Sequence, residues 1–250
     1  MKTKNNQTTK ELEYIKKSCF SREKEINLKE KIFEIILMKS KGRGDNIPSP
    51  MQLLIDFKLD EYIENIIDQE KLKINKNVAK GHILDRIIKP YMFEGYISAM
   101  FSNSGIECYP SDDKMDLEKK VDLITKYKDN IKYIQVKYTK VESLDKINYL
   151  DDLGNFMKNK IIEEQQGYTK EYIFDYNKPI HIIAVEEESQ DFMKKRSFFI
   201  VDIKSRELIN FASFEGLQYV NKYNQCNNDL LFKNIYPEEQ SYFGSDEFLF

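Results

Sequence analysis

Residues 121–138 read Val-Asp-Leu-Ile-Thr-Lys-Tyr-Lys-Asp-Asn-Ile-Lys-Tyr-Ile-Gln-Val-Lys-Tyr. Two short alternating apolar-polar runs flank Lys128-Asp129-Asn130, the signature of a β-hairpin. A turn centred there sets Asp122 opposite Gln135 or its immediate neighbour. Side chains alternate faces along a strand, so Gln135 and Lys137 share one face while Ile134 and Val136 take the other. A carboxylate, an amide oxygen and an ammonium then meet at one end of a hairpin with an apolar back. That grouping suits a hydrolytic site built around a divalent metal.

Upstream, residues 78–101 carry Ile83, Ile87, Ile88, Met92, Tyr96, Ile97 and Met100 at helical spacing, with Pro90 placed to kink or divide the run. Asn103-Ser104-Gly105 ends it, Gly105 serving as C-terminal cap. A short strand at 106–109 and an acidic loop at 110–118 lead into the hairpin. Downstream, 144–166 returns to helical spacing, 180–185 and 197–203 read as strands, and 205–211 and 214–223 suggest short helices. The order helix, strand, hairpin, helix, strand, strand, helix predicts an α/β (α+β) layout: a central mixed sheet flanked by helices.

The first third is helical. Residues 1–9 are polar and expected to fray; over 10–40, Leu12, Ile15, Cys19, Ile26, Ile32, Phe33, Ile36 and Leu37 recur at steps of three and four. Lys41-Gly42-Arg43-Gly44-Asp45-Asn46, then Pro48 and Pro50, break the pattern, and 51–57 and 60–72 read as two further helices. The expected division is a helical N-terminal region, 1–77, and a core with a C-terminal extension, 78–250.

A length of 250 residues and 41% apolar content support a sizeable core. A net charge of −3 argues against a wholesale polybasic binder but permits a local basic groove. Cys19, Cys108 and Cys226 have no metal-ligand or disulfide spacing. Neither a leader peptide nor a membrane span is legible, so the expectation is a cytoplasmic chain with no membrane partner. The only two histidines, His82 and His181, argue against a His-based triad or a His-metal cluster and are read as structural. The GxxxxGK[ST] phosphate loop is absent. Glu186-Glu187-Glu188 reads as a solvated loop. Residues 126–146 carry six lysines against three acids, a local excess suited to a polyanion.

The acid, twelve-residue gap and Gln-Val-Lys string, behind a helix bearing Glu94, resembles the PD-(D/E)xK nuclease superfamily in its QxK variant. Lys-Val-Asp-Leu-Ile (120–124) and Tyr-Ile-Gln-Val-Lys (133–137) are similar to strings of type II restriction endonucleases and related defence nucleases. One departure is that Val121 stands where the family has proline. The resemblance spans residues 80–140 and the strands to 203. It implies a restriction-endonuclease-like core, site-specific cleavage of double-stranded DNA, and Asp122, Gln135, Lys137 and Glu94 as site residues. It also implies magnesium (with manganese able to substitute), a homodimer, and a cognate DNA methyltransferase as genetic partner.

Chemistry agrees with that assignment. Magnesium takes hard oxygens, here the Asp122 carboxylate, the Gln135 amide oxygen, the Val136 carbonyl and, directly or through water, Glu94. Lys137 is then placed to orient or deprotonate water, or to stabilise charge on the phosphate. Glu107, Asp112, Asp113 and Asp116 are rival acids for the metal. A non-specific or structure-specific nuclease of the same fold, and a DNA-binding protein without chemistry, are the alternative expectations.

Overall fold

The computed structural model describes residues 2–41, 47–112, 115–116, 120–171, 178–188, 195–215 and 226–238; side chains of 2–6, 166–171 and 215 are not described. The loop 42–46, Asp113 and the expected helix beyond 215 lie outside these residues. Helices α1 (Lys2–Cys19), α2 (Arg22–Lys41), α3 (Pro50–Asp56), α4 (Leu59–Gln69) and α5 (Lys76–Ile83) come first. A π-helical turn, Leu84–Ile88, joins α5 to α6 (Lys89–Asn103). Pro90 follows directly; because the helix runs on unbroken, its ring and missing N–H coincide with this widened turn, which divides the run as expected. Gly105, at φ +79°, closes the helix as expected.

Six strands form one mixed sheet in sequential order: β1 (Glu107–Pro110), β2 (Leu123–Tyr127), β3 (Asn130–Val141), β4 (Ile180–Glu187), β5 (Lys195–Val201) and β6 (Leu208–Glu215). Neighbours are antiparallel except β3 and β4. A parallel pair needs a crossover. Two 3-10 turns (Leu144–Lys146 and Leu150–Leu153) and helix α7 (Asn155–Glu171) supply it; α8 (Asn228–Ile235) follows the sheet.

Strand β4 is buried on both faces, which is why Ile182-Ile183-Ala184-Val185 is continuously apolar. Ile182 and Ala184 join Ile134, Phe198 and Phe211 in a large cluster with α6. Ile183 and Val185 join Met157 and Ile161 of α7 in a smaller one on the opposite face. The large cluster also takes in Ile15, Ile32, Ile36 and Ile63, so the N-terminal helices share the core of the sheet. Helix α6 is buried from Met92 through Phe101. Where α2 crosses it, a Cβ on Gly95 would come within 2.7 Å of Ile36 Cδ1, so a side chain there would make Ile36 shift.

Four expectations are corrected. Residues 2–9 are helical, the first turns of α1. The pattern over 10–40 is two helices, broken at Phe20-Ser21. Residues 144–166 are not one helix: Leu150 N–H donates to the Arg206 carbonyl and Leu208 N–H to that of Asn148, and these cross-links replace helical bonds until Gly154 (φ +84°) starts α7. Residues 205–211 are not helical either, because Leu208 opens β6. A bulge there skips Phe211 in the register with β5 (Phe198 to Ala212, Phe199 to Asn210). The extra residue turns Ile209, Phe211, Ala212 and Phe214 all toward the large cluster. With Leu208, steps of three and four result, and a strand imitates a helix.

Candidate active site on the hairpin

The hairpin forms in the expected register. Tyr127 pairs with Asn130 and Leu123 with Ile134, leaving Lys128-Asp129 as a two-residue turn. Lys128 takes φ 51°, the left-handed conformation that primed hairpin turns require. Asp122 immediately precedes β2: its N–H donates to the Ile134 carbonyl at 2.9 Å, and its Oδ2 accepts from Val136 N–H at 2.7 Å. The carboxylate therefore lies across the strand junction beside Gln135. Ile134, Val136 and Tyr138 pack on the large cluster, and Phe93 stacks on Tyr138 at 4.8 Å between ring centres. Gln135 and Lys137 point to the opposite face.

Gln135 is 2% exposed, and its Oε1 has no hydrogen-bond partner among the described residues. An unsatisfied buried amide oxygen costs on the order of 1–3 kcal/mol. Such a group beside a carboxylate points to a ligand that supplies positive charge or a donor.

Glu94 is buried on α6, and its Oε2 lies 2.8 Å from Lys29 Nζ, an equally buried cation from α2. Asp116 is 3.8 Å from the same ammonium and also pairs with Arg22 at 3.5 Å. Burial works against the charge of Lys29, but Glu94, Asp122 and Asp116 outweigh it and hold the ammonium above its ordinary range. Lys29 and Arg22 thus stand among three acids, Glu94, Asp122 and Asp116. Burial raises Glu94 to about 8, aided by the Asp122 charge and opposed by Lys29. Burial likewise raises Asp122 to about 6, against Lys29, the Val136 N–H and Lys137.

Lys137 Nζ meets Glu164 Oε1 of α7 at 3.0 Å. Glu164 Oε2 faces His181 Nε2 at 3.3 Å, and His181 Nδ1 faces Gln165 Nε2 at 2.9 Å. His181 is fully buried and lies opposite Gln135 in the parallel ladder. Burial keeps its pKa below the usual imidazole range. For Glu164, burial acts upward, but the His181 hydrogen bond and Lys137 charge hold it low. One turn earlier on α7, Lys160 is depressed by burial and by the charges of Lys137 and Arg86. Neither Lys160 nor Arg86 has an ion-pair partner among the described residues.

Asp122 thus bonds the backbone between Gln135 and Lys137, which puts the three at one end of the hairpin, with the Lys137 ammonium on Glu164. Glu94 comes toward Asp122 but is tied to Lys29. Among the rival acids, Asp116 joins the cluster, Asp112 caps the turn at Met115 with its carboxylate at 2.8 Å, and Glu107 is exposed on β1. Among the described residues, no group of three His, Cys, Asp or Glu side chains is disposed to hold a metal. The donors that fit a hard cation are the Asp122 carboxylate and the Gln135 oxygen, a set that leaves most positions to water or substrate oxygens.

Two site residues escaped the sequence reading. Lys29 stands on the buried stripe of α2 with Ile32, Phe33 and Ile36, and a lysine on an apolar stripe is a legible signal for a buried acid partner. Glu164 lies on the helix after the hairpin, with nothing in its spacing to separate it from Glu163. Glu186 is corrected as well. It is not in a solvated loop but in β4, 1% exposed, with Arg196 Nε at 2.8 Å and Lys89 Nζ at 3.2 Å. No helix among the described residues is long and apolar enough to cross a membrane. No protein-family model, curated protein or solved structure matches this chain.

Proposed function

We propose that this chain is a magnesium-dependent endonuclease of the restriction-endonuclease-like fold that hydrolyses phosphodiester bonds at a specific site in double-stranded DNA. One observation carries the reading: a buried, unpartnered Gln135 amide oxygen beside the Asp122 carboxylate, with Lys137 on the same strand face. The strand–hairpin–crossover helix–parallel strand order that positions these groups supports it.

Asp122, Gln135 and the Val136 carbonyl would hold the ion, which supplies Lewis-acid stabilisation of the phosphate when bound. Asp122 is oriented for this by the Val136 N–H, and Lys137 contributes a fixed cation where charge develops on the phosphate oxygens. Lys160 and Arg86, both without ion-pair partners, are suited to adjacent phosphates. A cytoplasmic homodimer matching a two-fold DNA site, with a protective methyltransferase, completes the proposal.

The test is digestion of plasmid DNA by the purified chain with and without magnesium. Discrete fragments support site-specific cleavage; a smear indicates a non-specific nuclease. Lys137→Ala is expected to lower cleavage by about 10²–10³, the usual cost of a transition-state donor, while DNA binding persists. A binding protein without chemistry is the second reading, favoured by the Lys29 ion pair that already engages Glu94. No cleavage by wild type, with DNA binding retained, would establish it.

A further inference from the structure

We infer that Glu164 is a positioning residue that fixes the Lys137 ammonium at the site, held in turn by a directional hydrogen-bond chain through His181 and Gln165. The inference rests on the proposed hydrolytic reading of that site.

A lysine side chain has four rotatable bonds and loses entropy of about 1.5–2 kcal/mol when held in one rotamer. A cation that must meet one phosphate oxygen needs something to hold it. Asp122 does not do so alone, because its Oδ2 is engaged by the Val136 N–H. Glu164 Oε1, at 3.0 Å from Nζ, is the ion-pair partner of Lys137. Its other oxygen is fixed from behind. Gln165 Nε2 donates both its hydrogens, one to the Pro179 carbonyl at 3.1 Å and one to His181 Nδ1 at 2.9 Å. Nδ1 is therefore the acceptor, so Nε2 carries the ring proton and donates it to Glu164 Oε2 at 3.3 Å.

With the Gln165 amide nitrogen as donor, each member of this chain has a role. The backbone carbonyl orients the amide, the amide selects the tautomer, the imidazole aims the carboxylate, and the carboxylate holds the ammonium. Groups that orient a site residue in this way are worth roughly 10- to 100-fold in activity. His181 is bonded on both nitrogens and completely buried, as expected of a support rather than of a proton carrier. The chain also ties α7 and β4 to β3, so the crossover that makes the parallel pair is what delivers the support.

The experiment compares wild type with Glu164→Gln, which keeps the shape and the His181 contact, and with Glu164→Asp. Two quantities are read. The first is the acylation rate of Lys137 by an amine-reactive acetylating reagent, followed by mass spectrometry, which needs no catalytic activity. The second is kcat and KM for plasmid cleavage with magnesium. In Glu164→Gln, labelling of Lys137 is expected to rise several-fold, and kcat to fall about 10- to 100-fold with little change in KM. Glu164→Asp should restore part of both. Unchanged labelling overturns the inference whatever cleavage does. Faster labelling with wild-type kcat overturns it while the nuclease reading stands. Faster labelling in a chain whose wild type cuts no DNA overturns both, leaving the ion pair a packing device.

Discussion

Two buried carboxylate clusters against the same sheet and the same helix α6 have opposite surroundings. Glu186 at the far end of β4 is saturated: Arg196, Lys89 and the Tyr138 hydroxyl (3.3 Å) all reach it. Glu94 and Asp122 share Lys29, and Asp122 sits beside an amide oxygen with no partner among the described residues. Burying a charge is costly unless it is paired and hydrogen-bonded. The Glu186 cluster meets that condition within the chain. In the Asp122 cluster the Gln135 oxygen has no partner among the described residues, and that is where the proposed cation would bind. The contrast is between an ion cluster satisfied within the chain and one proposed to bind a cation.

The largest way to break this comparison is Glu186→Gln. It leaves Arg196 and Lys89 facing a neutral amide in a buried place, where loss of one partner costs roughly 3–5 kcal/mol. Urea unfolding should show that loss. Glu94→Gln in the same assay should cost much less, and an equal loss for the two would erase the distinction.

The second way is pH. Folded Glu94 keeps its proton to about pH 8, against an ordinary value of 4.5, and Asp122 to about 6 against 3.8. Between those values the folded state holds more protons than the unfolded one, so stability falls as pH rises. The decline should run from about pH 4 to 8 in the metal-free chain, its upper half belonging to Glu94. Unfolding midpoints at pH 6 and 8 test this: wild type should lose stability across that interval, and Glu94→Gln should flatten the loss. Magnesium, if it binds the folded state, should raise the midpoint more at pH 8 than at pH 6.

The smallest effect concerns how Lys29 reaches the site. Gly95→Ala places a methyl 2.7 Å from Ile36 Cδ1, which is itself fully buried. The gain in helix propensity, about 1 kcal/mol, opposes an overpacking cost of about 1–3 kcal/mol. A net loss near 1 kcal/mol in urea unfolding is expected, with α2 displaced from α6. No loss would mean that α2 packs more loosely than the geometry requires.

Much of this was legible. Alternation over 121–138 and the polar turn identified the hairpin and its register, because period two and turn chemistry are local properties. Ile182-Ile183-Ala184-Val185 was legible as a strand because a short continuous apolar run is also a local signal, and Gly105 as a helix end. The bulge in β6 was not, because one extra residue converts strand alternation into helix-like steps. Glu186 misled in another way: a run of three glutamates reads as solvated until a sheet buries the first.

The sequence by itself determined which residues make strands and helices, and that Asp122, Gln135 and Lys137 share one end of a hairpin. Strand geometry and turn type are set within a few residues. Only the tertiary structure brought Lys29 to the acids from a helix some ninety residues upstream of the hairpin. It alone set Glu164 against Lys137 across the crossover. Ion pairing acts through space, and a charged residue carries in its local spacing no record of the partner that burial will assign to it.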